Sequence, residues 1–109
     1  MTQTLCAAQA LQVSPAQLAL VRTLLLRHLP GLLVQAFGSR VNGWGTTPGP
    51  LKPHADLDLA IAGRPDARAL AALRLDFDDS DLPWRVDLCL LDELPPPLRE
   101  RIALNGCPL

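Results

Sequence analysis

Ala55-Asp56-Leu57-Asp58-Leu59-Ala60-Ile61 alternates polar and apolar side chains ahead of Gly63. Successive side chains on an extended strand point to opposite faces. Leu57, Leu59 and Ile61 are therefore expected to enter a core, with Asp56 and Asp58 facing the other way. Residues two apart on one face are separated by roughly 6–7 Å, so both carboxylates can address one space in front of a sheet. Taken alone, an Asp-x-Asp pair is commonly no more than a solvated face; its neighbours give it weight.

Downstream, Pro65 opens a helical pattern carrying Ala69, Leu70, Ala72 and Leu73, which runs into the acidic stretch Asp78-Asp79-Ser80-Asp81 and Pro83. Trp84 to Leu91 then reads as a strand with Val86, Leu88 and Leu90 on one side and Asp87 on the other. A third carboxylate is thus expected in the same sheet. Pro95 to Pro97 lead into a last helix through Leu104, closed by Asn105-Gly106.

Upstream, Leu32 to Phe37 is a short apolar run that stops at Gly38-Ser39 and reads as a strand. Before it, Ser14-Pro15-Ala16-Gln17 has the form of a capping box. Leu18, Val21, Leu25, Leu26 and Leu29 recur at helical spacing until Pro30-Gly31, which predicts a helix over 15–30. Between Val41 and His54 three glycines and three prolines exclude a long helix or a central strand. The expected fold is α+β, an α/β sandwich in which a small mixed sheet of up to four strands carries helices on one face and the acidic side chains on the other.

Three clustered carboxylates repel one another unless cations neutralise them, and all-oxygen ligands suit Mg²⁺ or Mn²⁺ better than zinc. Such ions escort a triphosphate and lower the pKa of an attacking hydroxyl. Gly38-Ser39 supplies a complementary feature. A glycine at a strand end lets backbone N–H groups approach phosphate oxygens, and a serine hydroxyl adds a donor.

The bulk composition sets limits. At 109 residues the chain suits one domain but not a catalytic domain with a separate acceptor domain. No apolar run approaches the ~20 residues of a membrane span, and Met1 to Ala10 lacks the basic start of a secretory signal, so a cytoplasmic protein is expected. A net charge of -1 gives no general drive toward nucleic acid. Cys6, Cys89 and Cys107 are widely spaced and are read as reduced thiols. His54 reads as a solvated loop residue, His28 as a helix-end partner, Trp84 as core, and the acidic run from Asp76 to Asp81 as a solvated connection.

The order Ala36-Phe37-Gly38-Ser39-Arg40, a glycine-bearing loop, Ala55-Asp56-Leu57-Asp58-Leu59-Ala60 and Val86-Asp87-Leu88 resembles the polymerase-beta-like nucleotidyltransferase superfamily, and within it the bacterial minimal nucleotidyltransferases. The resemblance covers residues 13–109, leaving 1–12 as an N-terminal extension. It implies a nucleotidyltransferase fold and a protein adenylyltransferase with ATP as substrate and one or two Mg²⁺ ions, or Mn²⁺, as cofactor. Asp56, Asp58 and Asp87 would be both catalytic and metal-binding, with Gly38, Ser39 and Arg40 binding the nucleotide. Many such proteins are antitoxins that AMPylate a HEPN-type toxin partner, a role suited to a domain with no acceptor-binding domain of its own. Two departures stand out. The interval from Arg40 to Ala55 is longer than the family's usual spacing, and Ala55 stands where a serine usually precedes the first aspartate. The longer loop keeps open a module that neutralises a toxin by binding alone; nucleotidyl transfer to a small molecule is the remaining alternative.

Overall fold

The computed structural model describes residues 11–42, 44 and 54–109. Expectations for residues 1–10, and for the loop between Gly45 and Pro53, lie outside the described residues. Helix α1 spans Pro15–His28, strand β1 Val34–Phe37, β2 Leu57–Ile61, helix α2 Ala67–Asp78, β3 Val86–Leu90, helix α3 Pro96–Asn105 and β4 Cys107–Pro108, with a 3₁₀ turn at Leu91–Glu93. The four strands form one mixed sheet in the order β3-β2-β1-β4. β2 runs antiparallel to β1 and parallel to β3, and β1 also pairs antiparallel with β4.

Local chemistry accounts for the element boundaries. The Ser14 hydroxyl accepts the Gln17 N–H at 3.1 Å and the Gln17 side-chain carbonyl accepts the Ser14 N–H at 2.8 Å, so two donors left over at the start of α1 are satisfied reciprocally. Helix α2 is capped by Asp66, whose carboxylate accepts the N–H groups of Arg68 and Ala69. Pro65 thus stands just outside the helix instead of opening it. The stripe of α1 also needs one correction. Leu24 is buried and Leu26 is 70% exposed, because Leu24 lies one turn from Val21 and Leu26 is rotated off that face.

The three apolar residues of β2, Leu57, Leu59 and Ile61, are fully buried. They pack with Leu18, Val21 and Leu25 of α1 and Leu73 and Phe77 of α2, so these helices cover one face of the sheet. Burying each such side chain contributes about 1.5–3 kcal/mol, enough for β2 to tolerate a half-buried carboxylate on its other face. Helix α1 is tied to α2 where His28 Nε2 lies 2.5 Å from Asp76 Oδ2, with Arg27 3.7 Å from the same oxygen. Asp76 therefore belongs to a helix–helix contact and not to the solvated acidic connection.

Strand β4 carries no periodic signal in sequence, yet Leu109 N–H donates to Val34 O and Cys107 pairs with Ala36. Cys107 is disulfide-bonded, which corrects the expectation of a reduced thiol there; sequence spacing does not reveal which distant segment meets this edge of the sheet. Cys89 is a free thiol, as expected. No helix among the described residues is long and apolar enough to cross a membrane.

Candidate active site

The register of the sheet brings the sequence-derived residues together. Phe37 pairs with Asp58 on the antiparallel side, and Asp58 pairs with Asp87 on the parallel side. Register partners share a face, and neighbouring strands lie about 4.8 Å apart, so the two carboxylates stand side by side on the face turned away from α1 and α2. Asp56 lies just ahead of β2, where Leu57 N–H donates to Arg85 O at 2.9 Å. Asp56 and Asp87 are exposed and Asp58 is half-buried.

Electrostatics single out Asp58. Burial, then the charge of Asp87, then that of Asp56 push its carboxyl from 3.8 up to about 6. Desolvation and like charge act in the same direction on an acid, so this face favours an added positive charge. Among the described residues, no group of three or more His, Cys, Asp or Glu is gathered closely enough to hold a metal ion as it stands. The donors that line the space are nonetheless hard carboxylate oxygens, the chemistry that suits Mg²⁺ or Mn²⁺.

Gly38 adjoins the carboxylates directly. Its φ is +83°, and a Cβ placed there would collide with Asp58 Oδ2. Both the backbone conformation and the close approach of Asp58 therefore require glycine. The turn that follows closes with Val41 N–H donating to Gly38 O at 3.0 Å, and it leaves Ser39 exposed. The Gly-Ser turn and the Asp-x-Asp strand, separate in sequence, meet at one point.

Arg40 points elsewhere. It is only 4% exposed. Its Nε donates to Ala55 O and its NH1 to Gln12 O, both at 2.7 Å, and its guanidinium lies 4.6 Å from the Trp84 ring centroid. Burial lowers its pKa, while the charge of Asp56 acts in the opposite direction. Trp84 is core, as its sequence position suggests. Its second role, as the surface under Arg40, has no signature in sequence.

Further groups frame the site. The Trp44 ring lies 5.9 Å from that of Phe37, tilted by 53°, and Arg101 of α3 sits 4.5 Å from the Trp44 centroid while also donating to Trp44 O. His54 is exposed, with Nδ1 3.3 Å from Pro83 O. It joins Asp56, Trp84 and Arg85 in lining a cleft of about 360 Å³. Cys89, two residues after Asp87 on the same face of β3, is pushed up to about 11 by burial and then by Asp87, Asp58 and Glu93. Its thiol donates to Leu59 O at 3.3 Å.

No family model matches the chain. Over 80 residues, however, it is 45% identical to the probable protein adenylyltransferase MntA of Haemophilus influenzae. The chain is similar to a protein adenylyltransferase. The likeness covers 72% of this chain and 65% of the relative, so the chain spans somewhat less than two thirds of that relative's length.

Proposed function

We propose that the chain is a nucleotidyltransferase that moves AMP from ATP onto a side-chain hydroxyl of a protein acceptor, and that this acceptor is a HEPN-type toxin which the transfer neutralises. The observation that carries the reading is the meeting of Asp58 and Asp87, in register on adjacent strands, with a glycine turn held against Asp58. The similarity to the Haemophilus influenzae protein supports the same class of chemistry.

In this reading Gly38 and Ser39 receive the triphosphate through backbone N–H groups and the serine hydroxyl. Asp56, Asp58 and Asp87 would hold Mg²⁺, or Mn²⁺, which when bound neutralises the triphosphate and the departing pyrophosphate. The raised carboxyl of Asp58 fits such a cation, because the site carries more negative charge than it can comfortably hold alone. Asp87, exposed at the edge strand, takes the proton as the acceptor oxygen attacks the α-phosphorus. The new O–P bond forms as the α–β bridging P–O bond breaks, and pyrophosphate leaves with that electron pair.

The test is to incubate the protein with a HEPN-type protein, Mg²⁺ and each nucleoside triphosphate in turn, with Asp56→Asn/Asp58→Asn as control, and to weigh the HEPN-type protein by mass spectrometry. Addition of AMP by the wild type alone supports the proposal. A stable complex with no mass added would favour neutralisation by binding and sink the catalytic reading for that partner.

A further inference from the structure

We propose that Arg40 is a positioning residue which fixes Asp56 at the candidate site through the Ala55 carbonyl, and is not a group that touches the nucleotide. The inference deepens the transferase reading and rests on it for the role of Asp56. Its geometry stands independently.

Asp56 lies ahead of the first residue of β2, so its own backbone falls outside the strand ladder. Arg40 supplies a tether. Its Nε donates to the carbonyl of the preceding residue, Ala55, while NH1 donates to Gln12 O, and the Gln12 N–H returns a bond to Arg40 O at 2.6 Å. The indole of Trp84, close to where Arg85 O receives the first amide of β2, lies under the guanidinium. One side chain therefore joins the turn after β1, the approach to β2, the approach to β3 and the segment before α1.

Only arginine can do this. Its planar fork sends donors in two directions while its face stacks on an aromatic ring, whereas a lysine ammonium is a point charge that fits one direction at a time. The charge of Asp56 in turn lies near enough to act electrostatically on the guanidinium. With 4% exposure, and with Nε and NH1 both directed at backbone carbonyls, Arg40 is poorly placed to greet a solvent-borne triphosphate. The exposed Ser39 is placed for that task.

The experiment compares the wild-type chain with Arg40→Lys and Arg40→Gln, reading amide hydrogen exchange by NMR, Mn²⁺ affinity with the metal alone, and kcat and KM for ATP. The expected result is faster exchange at residues 55–57 and at Gln12, which the same side chain ties, Mn²⁺ binding weakened by about tenfold, and a fall in kcat with KM for ATP unchanged. Wild-type protection at 55–57, or a rise in KM with kcat unchanged, would overturn the inference, the latter by making Arg40 a direct nucleotide contact. Should wild type itself bind no Mn²⁺, the transferase reading fails while the exchange data still decide the tether. If neither variant folds, the wild-type protein decides: a slowly exchanging Arg40 Nε–H with a nuclear Overhauser contact to Ala55 supports the tether, and a rapidly exchanging one without that contact refutes it.

Discussion

Replacing Asp58 with asparagine should stabilise the protein at neutral pH while removing its activity. The carboxyl is raised from 3.8 to about 6, by burial first and then by Asp87 and Asp56. At about 1.4 kcal/mol per tenfold change in proton affinity, that rise corresponds to about 3 kcal/mol. Asp58 is half-buried, so solvent screening reduces the retained cost of the charge to about 1–2 kcal/mol. The sign follows from linkage. The folded state holds its proton more tightly than the unfolded chain, so the stabilisation is complete below pH 3.8 and is lost as pH rises through about 6. Asparagine keeps the shape without that loss. Thermal unfolding of both proteins between pH 4 and 7.5, without divalent ions, should show the variant melting higher at pH 7 by about 5–10 °C, with the gap closing toward pH 4. Added Mg²⁺ should raise the wild-type midpoint more than that of the variant. A variant of equal or lower stability at pH 7, or a gap that does not change with pH, would show that the Asp58 charge carries no such cost.

Gly38→Ala should lose activity and about 1–3 kcal/mol of stability, since alanine must adopt a φ of +83° and displace the Asp58 carboxylate; chemical denaturation and AMP transfer read the two effects. Leu59→Ala removes a fully buried side chain from the centre of β2 and should cost about 2–5 kcal/mol, measured by urea unfolding. The Cys89 thiol, pushed up to about 11, should resist iodoacetamide at pH 7.5 in the folded protein and react readily in urea, as mapped on its peptide by mass spectrometry. Ser14→Ala removes the α1 cap and should cost about 1 kcal/mol without altering Mn²⁺ affinity.

Much of this architecture was legible because it depends on local periodicity. The alternation in Leu57 to Ile61 and Val86 to Leu90 gives both the buried face and the acidic one, and the capping box at Ser14 marks where α1 begins. The parts that escaped depend on contacts between distant segments. Two residues suffice for β4, one of them proline, and no pattern can emerge from so short a strand. Arg40 follows Gly38-Ser39, a context that suggests a phosphate contact, yet its partners lie 15 and 28 residues away in sequence. Asp76 sits at the head of an acidic run, and only the crossing of α1 and α2 brings His28 to it. The collision that a side chain at Gly38 would make with Asp58 is likewise a product of strand register, although the two motifs that meet there are each visible in sequence.

Nucleotidyl transfer on the face bearing Asp58 and Asp87 gives the α- and γ-phosphorus of ATP different fates. The decisive experiment supplies ATP labelled at either the α- or the γ-phosphorus, together with Mg²⁺ and a HEPN-type partner protein, and follows where each label goes. The α-label should become covalently attached to the partner and the γ-label should be released in pyrophosphate, with neither event in Asp58→Asn. Attachment of the γ-label, or α-label transfer that persists in Asp58→Asn, would contradict nucleotidyl transfer on this face.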